Sequence, residues 1–287
     1  MLYYENIIIG AGPAGIQCGY FYHKYSINYA IIERNSICGS FFSTFPLSDT
    51  LISINKTNTG RTNAEFNLRH DWNSLLNDDD VLFKNISDDF YPNRQDIVDY
   101  LTLFSKHFKL NIYFNTLVTR IIKESEHYKL FIENSEEVYI CKNLVVATGL
   151  SERNYPNYTL NVKTPIKHYG DYEKSFFLNK QNLEQFKNKK VLLLGNGNSS
   201  WELGNILNTV TSSITIIGNS HRKFAYNTHY IGDIRSIYMP LMDTFFFKSL
   251  NGVNNHINKT YTVEIIQETN DGDYFLCYKN NNNFNLR

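Results

Sequence analysis

The amino-acid sequence predicts an α/β protein made of two parallel-sheet domains, at residues 1–155 and 156–287. Three observations support this fold class. An apolar run, a glycine-rich turn and a helical pattern follow one another from residue 4, and the same succession recurs from residue 190. Each succession ends in a second apolar run, which gives the strand–helix–strand order of parallel α/β folds. Three strand-like runs lie between the two units and predict an antiparallel meander in the first domain.

In the first unit the apolar run 4–9 leads directly into a turn formed by Gly10, Ala11, Gly12, Pro13, Ala14 and Gly15. Gly10 permits a tight turn after the strand, Gly12 lets a pyrophosphate approach the backbone, and Gly15 lets the helix pack against the sheet. The helix N-terminus offers free N–H groups to phosphates. The next apolar run ends on Glu33, at the spacing of a carboxylate that binds ribose hydroxyls. We therefore predict a dinucleotide site, because a turn used only for helix packing leaves Glu33 unexplained.

The second unit repeats this organisation, but basic residues follow its second strand where the first unit has an acid. Its strand, 190–194, is followed by the turn residues Gly195, Asn196, Gly197, Asn198, Ser199 and Ser200. Ser200 stands where a third glycine or alanine is usual, but its small side chain still allows close packing. After the next strand Arg222 and Lys223 replace the acid. An arginine accommodates the 2′-phosphate of NADP, so Arg222 favours NADPH over NADH. We interpret Lys223 as part of a solvated turn.

Two units with opposite charges at their ends predict two different dinucleotides. The simplest interpretation is FAD at the first unit and NADPH at the second, with hydride passing from nicotinamide to flavin. The sequence thus predicts two Rossmann-like domains, an FAD-binding domain that contains the meander and an NADP-binding domain. In such an arrangement the cofactors carry the chemistry and the protein positions their rings.

The other elements follow from periodicity and turn residues. A helix is expected after Pro92, because apolar side chains recur on one helical face. The three meander runs are 112–122, 128–133 and 137–141, and a separate short buried strand, 143–149, is expected to rejoin the parallel sheet beside the first strand. Residues 261–268 and 273–278 predict one hairpin. The polar, irregular segment 51–76 is either a functional loop or a surface excursion.

Composition excludes several classes of protein. The 287 residues are 42% apolar and 20% charged, which predicts a packed core. Basic and acidic residues number 28 each, so neither nucleic acid nor an anionic membrane is an expected partner. No apolar run approaches the ~20 residues of a membrane span, and no signal peptide precedes the first strand, so a cytoplasmic location is expected. The four cysteines form no C-x-x-C pair, so neither a metal site nor a local redox pair is predicted.

Several motifs together resemble those of a known family. They are GAGPAGIQCGYF from residue 10, SFFSTFP from residue 40, the segment 51–76, LVVATGLS from residue 144, GNGNSSWE from residue 195 and THYIGDIR from residue 228. Over residues 4–252 the chain resembles the FAD-dependent oxidoreductase domain-containing proteins, and the segment 51–76 is the most specific match. More distantly, the chain resembles the flavin-containing monooxygenases.

The resemblance implies an FAD-binding fold with an inserted NADP domain. The residues that it implies at the FAD pyrophosphate and adenosine ribose are Gly10, Gly12, Pro13, Ala14, Gly15, Glu33 and Arg34. Those implied near the ribityl chain or the flavin ring are Ser40, Phe41, Asn55 and Lys56, and Thr148 and Gly149 complete the site. Those implied for NADPH are Gly195, Gly197, Asn198, Ser199 and Arg222. The block 228–235 would face the cofactors, with His229, Asp233 and Arg235 as polar candidates.

The chain also departs from the families that it resembles. Of the monooxygenase motif F-x-G-x-x-x-H-x-x-x-Y only His168 and Tyr172 are present, because Val162 and Thr164 replace the Phe and the Gly. The half-present motif therefore gives monooxygenase-like activity only weak support. No strand that would return to the FAD domain follows the predicted hairpin, so we expect a C-terminally shortened fold. The resemblance would also imply the lumen of the endoplasmic reticulum instead of the cytoplasm.

Two functions follow from these observations. The first is an oxidoreductase that uses FAD and NADPH and passes hydride on to an external acceptor. Its external substrate would be a partner protein's disulfide, a soft small-molecule nucleophile or oxygen. An on-chain disulfide is not expected, because Cys38 has no cysteine near it in sequence. The alternative is a non-catalytic descendant that binds a nucleotide or a partner protein. No catalytic residue is identified; His70, His168 and His229 are candidates, each of which is also explained as a packed or solvated histidine.

Overall fold

The structure of the protein is a computed structural model that describes residues 1–53, 55–150, 153, 155, 159–163, 165–218, 263–270, 274–278 and 283–286. The chain divides into two compact units, Met1–Glu152 and Arg153–Arg287, whereas the sequence places the boundary after residue 155. In the described residues no helix combines the length and the apolar character needed to cross a membrane. In the same part of the chain no three potential metal ligands gather at one point.

The first unit is built on one six-stranded sheet. Its strands are β1 (Leu2–Ile9), β2 (Tyr29–Ile32), β3 (Ile112–Tyr113), β4 (Val118–Glu124), β5 (His127–Ile132) and β6 (Val138–Val146). Their order across the sheet is β3-β2-β1-β6-β5-β4. Ile9 of β1 lies opposite both Ile32 of β2 and Val146 of β6 in parallel pairings. The carboxyl ends of these three strands therefore meet at one edge of the sheet, where the first glycine-rich turn begins.

The predicted division into one strand at 137–141 and another at 143–149 is wrong, whereas the predicted return to the parallel sheet beside the first strand is confirmed. One continuous strand, β6, pairs antiparallel with β5 and parallel with β1. Lys142 and Asn143 interrupt the apolar pattern, which is why the sequence suggests two runs there. Asn143 in fact lies opposite Asn6, and its Nδ2 donates a hydrogen bond to Asn6 Oδ1 at 3.0 Å. The polar pair is satisfied within the sheet, so the strand continues. Its end is less buried than expected, since Val146 is 64% exposed.

The run 112–122 is likewise divided between two strands. β3 pairs parallel with β2, whereas β4 pairs antiparallel with β5. Between them Asn115 has a φ of 53°, a left-handed conformation that asparagine tolerates and that does not continue a strand. The first residues of this run therefore extend the parallel part of the sheet, and only the rest belongs to the meander.

Helices α1 (Pro13–Lys24) and α3 (Arg94–His107) pack on the sheet. Ile8 and Ile31 of the sheet share one buried core with Ile16 of α1 and with Leu101 and Phe104 of α3. The alternate residues of the strands, such as Ile7 and Ile32, belong to a second buried cluster. This division follows from the alternation of side chains along a strand.

The helix starts are encoded locally. Asn93 and Asp96 form a capping box at the start of α3, in which the N–H of Asn93 donates to Asp96 Oδ2 at 3.0 Å. The predicted helix after Pro92 is thereby confirmed. The segment 51–76, which we expected to be irregular, contains a short helix, α2 (Ala64–Leu68), capped by Asn63.

The second unit contains a parallel pair and a four-stranded sheet. Its elements are β7 (Thr159–Asn161), α4 (Lys180–Leu183), β8 (Lys190–Leu194), α5 (Asn198–Leu207), β9 (Ser213–Ile217), β10 (Val263–Glu268), β11 (Tyr274–Tyr278) and β12 (Asn283–Leu286). β8 and β9 pair in parallel and are joined through α5, as the second glycine unit predicts. β10 and β11 form the predicted hairpin. Sequence reasoning missed β12, which pairs antiparallel with β11, and β7, which pairs parallel with β10.

Candidate dinucleotide-binding sites

The first glycine-rich turn contains two tightly packed glycines and one open glycine. Gly10 has a φ of +106°, and a Cβ placed on it would lie 2.5 Å from the carbonyl oxygen of Ala147. A Cβ on Gly15 would lie 1.9 Å from the carbonyl oxygen of Gly10. At Gly12 a Cβ would meet no atom of the described residues within 4 Å. The backbone at Gly12 is thus open to an approaching group, which is the condition for contact with a pyrophosphate.

The start of α1 suits an anion. Gly12 caps the helix in an extended conformation and Pro13 is the first helical residue. Proline has no N–H, and the N–H groups of Ala14 and Gly15 belong to the first helical turn, where the helix itself supplies no acceptor. That turn contains no acidic residue. Free donors and the positive end of the helix dipole therefore coincide at the open side of the turn.

The carboxylate of Glu33 is bonded to the turn itself. Glu33 is 5% exposed. Its Oε2 accepts a hydrogen bond from the N–H of Ala11 at 2.8 Å. Its Oε1 accepts from the N–H of Asn35 at 2.9 Å and from Ser40 Oγ at 3.4 Å. A carboxylate offers about four acceptor positions, so one stays available for a ribose hydroxyl. Sequence reasoning predicted an acid that faces a ligand; the acid also orders the turn.

Ser40 and Phe41 belong to a 3-10 turn, Ser40–Ser43. Asn35 Nδ2 donates to Ser40 Oγ at 2.9 Å, and Ser43 Oγ donates to the carbonyl oxygen of Ser40 at 2.7 Å. The residue before the turn, Gly39, donates its N–H to the carbonyl oxygen of Ala11 at 2.9 Å. The 3-10 turn is thereby attached to the glycine-rich turn, and Phe41 is half-exposed there.

Thr148 and Gly149 leave the sheet beside the same turn. The N–H of Ala147 donates to the carbonyl oxygen of Ile9 at 2.9 Å, which brings the end of β6 next to Gly10. Thr148 and Gly149 are exposed, as is Arg34 after β2. The structure thus brings together, at one sheet edge, the predicted residues of the first glycine turn, Glu33, Arg34, Ser40, Phe41, Thr148 and Gly149.

Asn55 and Lys56 lie on the segment 51–76. An isolated antiparallel bridge joins Asn55 to Asp71, and the N–H of Lys56 donates to the carbonyl oxygen of His70 at 3.1 Å. Asn55 is 1% exposed, and its Nδ2 donates to the carbonyl oxygens of Ser87 and Asp89 at 2.8 and 3.3 Å. Both amide hydrogens of Asn55 are therefore used within the protein, while Lys56 is half-buried beside it.

Three buried side-chain atoms of this segment have no hydrogen-bond partner among the described residues: Asn55 Oδ1, Asp71 Oδ1 and Asn73 Nδ2. The other oxygen of Asp71 accepts from Ser74 Oγ and from the N–H of Lys84. Burial raises the pKa of the Asp71 carboxyl above its ordinary value, and the hydrogen bond from Ser74 opposes that shift. Asp71 Oδ1 is thus a buried acceptor without a partner in the described residues, and protonation of the carboxyl would remove its charge.

The surface of the same segment contains a cavity of about 420 Å³. It is lined by Arg61, Asn63, Glu65, Phe66 and Arg69. The guanidinium of Arg69 pairs with the carboxylate of Glu65. The cavity lies away from the two glycine-rich turns in sequence, and none of its lining residues was predicted as a site residue.

The second glycine-rich turn resembles the first. Gly195 has a φ of +125°, and at Gly197 a Cβ would meet nothing within 4 Å in the part of the chain that the structure describes. Ser200 Oγ would lie 3.4 Å from a Cβ on Gly195, so the serine in place of a third glycine lies beside the turn without crowding it. Asn198 and Ser199 are exposed at the start of α5.

The end of β9 lies close to this turn. A Cβ on Gly218 would lie 2.4 Å from the Cβ of Asn196, so the strand that precedes the basic segment touches the glycine-rich turn. Asn196 Oδ1 in turn accepts a hydrogen bond from Trp201 Nε1 at 3.0 Å. Arg222 lies outside the described residues, as do His229, Asp233 and Arg235.

Two of the candidate histidines have structural roles. His70 is buried, and its Nδ1–H donates to the carbonyl oxygen of Phe66 at 2.8 Å. His168 caps the 3-10 turn Tyr169–Asp171. Its ring Nδ1 accepts from the N–H of Gly170 at 3.0 Å, and its backbone N–H donates to Asp171 Oδ2 at 2.8 Å. Packing and capping therefore account for both histidines without a catalytic role.

Residues 7–285 match the model of the pyridine nucleotide-disulphide oxidoreductase family. The chain is 38% identical over 256 residues to the FAD-dependent oxidoreductase domain-containing protein 2 of Mus musculus and 40% identical over 258 residues to the protein of that name from Danio rerio. These matches cover 87% and 88% of this chain but 37% and 36% of the relatives. The chain thus spans just over a third of the length of these curated relatives.

Solved structures show the same fold. The bacillithiol disulfide reductase Bdr of Staphylococcus aureus matches with a TM-score of 0.68 at 19% identity, over 100% of this chain and 74% of that chain. The flavin-containing monooxygenase of Stenotrophomonas maltophilia matches with a TM-score of 0.66 at 16% identity, over 100% of this chain and 76% of that chain. The predicted resemblance to FAD-dependent oxidoreductase domain-containing proteins, and distantly to flavin-containing monooxygenases, is confirmed. The chain has the Rossmann-like α/β dinucleotide-binding fold and belongs to the pyridine nucleotide-disulphide oxidoreductase family.

Proposed function

We propose that this chain is an FAD-dependent oxidoreductase that takes hydride from NADPH and passes it to an external acceptor. The observation that carries the proposal is the open backbone of Gly12 next to a helix start without acidic residues. Membership of the pyridine nucleotide-disulphide oxidoreductase family supports it, as does the FAD dependence named for the curated relatives.

The residues at the first turn fit FAD. Gly12 and the N–H groups at the start of α1 would hold the pyrophosphate, and the remaining acceptor position of Glu33 would take a hydroxyl of the adenosine ribose. Ser40 and Phe41 would lie along the ribityl chain or the ring. When bound, FAD supplies the hydride-accepting chemistry, and the protein orients it and limits the access of water.

The second turn would hold NADPH. Gly197 is open in the same way as Gly12, and Asn198 and Ser199 place exposed polar groups at the start of α5. Arg222 would bind the 2′-phosphate, which distinguishes NADPH from NADH. The chain would then present two nucleotide sites of different specificity, one acidic and one basic at the ribose.

The acceptor is proposed to be external because Cys38, the cysteine nearest to the 3-10 turn in sequence, does not suit disulfide exchange. Its Sγ is buried and donates to Ser105 Oγ at 3.4 Å. Burial raises the pKa of the Cys38 thiol, and a protonated thiol is a poor nucleophile. Cys18, Cys38 and Cys141 are free thiols. A partner protein's disulfide or oxygen would accept the electrons, and a soft small-molecule nucleophile would be a substrate that is oxidised together with the flavin when oxygen is the acceptor.

A visible absorption spectrum of the purified chain, followed by anaerobic addition of NADPH and separately of NADH, tests this function. We expect a flavin spectrum, or one that appears on addition of FAD, and faster bleaching by NADPH than by NADH. A chain that binds FAD but is not reduced by either nucleotide would favour the alternative, a non-catalytic nucleotide-binding protein. A chain that folds and does not bind FAD would contradict the proposal.

A further inference from the structure

A buried arginine closes the far end of the 3-10 turn Ser40–Ser43. Arg94 is the first residue of α3 and is 3% exposed. Its Nη1 donates hydrogen bonds to the carbonyl oxygens of Ser43 and Phe42, the latter at 3.4 Å. These carbonyls lie at the C-terminal end of the turn, where no later turn of helix supplies a donor. The guanidinium therefore satisfies them from another element.

Asp49 fixes the orientation of that guanidinium. Asp49 Oδ1 accepts from Arg94 Nε at 2.6 Å, and Asp49 Oδ2 accepts from Asn93 Nδ2 at 2.6 Å. The N–H of Arg94 also donates to the carbonyl oxygen of Asp49 at 2.9 Å. A buried charge is costly unless it is paired and hydrogen-bonded, and Arg94 meets both conditions. With its backbone and side chain both bonded, it has little freedom to move.

The 3-10 turn is thus held at both ends by charged side chains. Glu33 Oε1 accepts from Ser40 Oγ at its start, and Arg94 donates to the carbonyl of Ser43 at its end. α3 also contacts the turn from behind, since a Cβ on Gly39 would lie 2.6 Å from Leu101 Cδ1. The half-exposed Phe41 lies between these two attachments.

We propose that Arg94 is a positioning residue of the flavin site. It fixes the backbone of Ser40–Ser43 so that Ser40 and Phe41 meet the cofactor in one orientation, and it does not touch the cofactor itself. This inference rests on the proposed function. The guanidinium of Arg94 donates in two directions, to a carboxylate and to carbonyls, and the single ammonium of a lysine does not reproduce this geometry.

The test compares wild type with two variants. Arg94→Lys keeps the charge, and Arg69→Lys is the control, because Arg69 is exposed and likewise pairs with a carboxylate, that of Glu65. Hydrogen exchange in the FAD-free protein reports the turn directly. The N–H of Phe42 bonds to Gly39 and that of Phe45 bonds to Phe41. We expect these amides to exchange about tenfold faster in Arg94→Lys, with β1 unchanged. FAD titration should show affinity about tenfold to 100-fold lower and an altered visible band shape of the bound flavin. Arg69→Lys should match wild type in all three readouts.

The outcomes separate this inference from the function on which it rests. If wild type does not bind FAD, the proposed function fails and the cofactor role of Arg94 fails with it. If wild type binds FAD and Arg94→Lys shows wild-type exchange, affinity and band shape, the positioning role alone is overturned. Faster exchange with unchanged FAD affinity and band shape also overturns it, because the turn would then not serve the cofactor. If Arg94→Lys does not fold, Asp49→Asn replaces it and is expected to lower FAD affinity by a smaller factor; unchanged affinity in that variant overturns the inference.

Discussion

The N–H of Ala11 donates a hydrogen bond to Glu33 Oε2 at 2.8 Å, so the acid that ends β2 is bonded to the turn that ends β1. The two residues are 22 positions apart in sequence. The bond links the turn that follows β1 to the residue that follows β2, and it forms without a ligand. The shape of the glycine-rich turn therefore depends on the Glu33 carboxylate, and loss of that carboxylate should disturb the turn.

Replacement of Glu33 by glutamine should lower both FAD affinity and stability. An amide offers one oxygen where the carboxylate offers two, so an N–H group of Ala11 or Asn35 would face the amide nitrogen. A buried donor without a partner costs about 1–3 kcal/mol. Urea unfolding and FAD titration measure the two effects. Glu136→Gln, at an exposed position, is the matched control. Wild-type stability in Glu33→Gln would show that these bonds do not hold the turn.

Alanine at Gly12 should weaken FAD binding without destabilising the fold, whereas alanine at Gly10 should destabilise the fold. At Gly12 the new Cβ meets no described atom within 4 Å, so the free energy of unfolding should change by less than about 1 kcal/mol. The same Cβ would occupy the space proposed for the pyrophosphate, so FAD affinity should fall at least about tenfold.

At Gly10 the new Cβ lies 2.5 Å from the carbonyl oxygen of Ala147 and φ is +106°, so Gly10→Ala should destabilise the fold by about 1–3 kcal/mol or more. Thermal unfolding of the two variants without FAD separates the roles. A Gly12→Ala variant that unfolds as easily as Gly10→Ala would contradict the distinction between an open and a packed glycine.

Asp71→Asn should stabilise the protein at neutral pH. Burial raises the pKa of Asp71, so the folded protein favours the protonated form more than the unfolded chain does. Below about pH 4 Asp71 is protonated in both states, so its burial costs the wild type the least stability there. As pH rises through the folded-state pKa, the buried carboxyl must ionise and the free energy of unfolding of the wild type falls.

Urea unfolding of wild type and Asp71→Asn between pH 4 and pH 8 checks this prediction, with the exposed Asp88→Asn as control. The difference in the free energy of unfolding between the two proteins should grow with pH and then level off above the folded-state pKa. An Asp71→Asn variant that is less stable than wild type at pH 7 would show that the ionised carboxylate is required.

Arg222→Ala should reduce the preference for NADPH. Loss of one charge-assisted hydrogen bond costs about 1.5 kcal/mol or more, which raises the KM for NADPH by at least about tenfold. The KM for NADH should change little, because NADH has no 2′-phosphate. Steady-state oxidation of each nucleotide with oxygen as the acceptor, at several nucleotide concentrations, measures both. Lys223→Ala is the neighbouring control, since we interpret Lys223 as solvated. Equal effects of Arg222→Ala on both nucleotides would contradict the role assigned to Arg222.

Much of the fold is predictable from local pattern. The two glycine-rich turns, the strands that precede them, the helix after Asn93 and the β10–β11 hairpin each depend on residues that are neighbours in sequence. A positive φ at Gly10, a capping box at Asn93 and an apolar run are properties of a few consecutive residues. Such features can be predicted from a short segment without knowledge of the rest of the chain.

Other features were decided only by tertiary structure. β6 is continuous because Asn143 meets Asn6, and the 3-10 turn is closed because Arg94, 51 residues from Ser43, reaches its carbonyl. The pairing of Asn55 with Asp71 joins two parts of a segment that has no periodicity. In each case a polar side chain is satisfied by a partner far away in sequence, and composition and spacing do not record which partner it meets. The sequence by itself determined the strand–turn–helix pattern that predicts a nucleotide site; the folded chain decided which side chains hold the glycine-rich turn in shape, because burial makes every polar group depend on its partner in space.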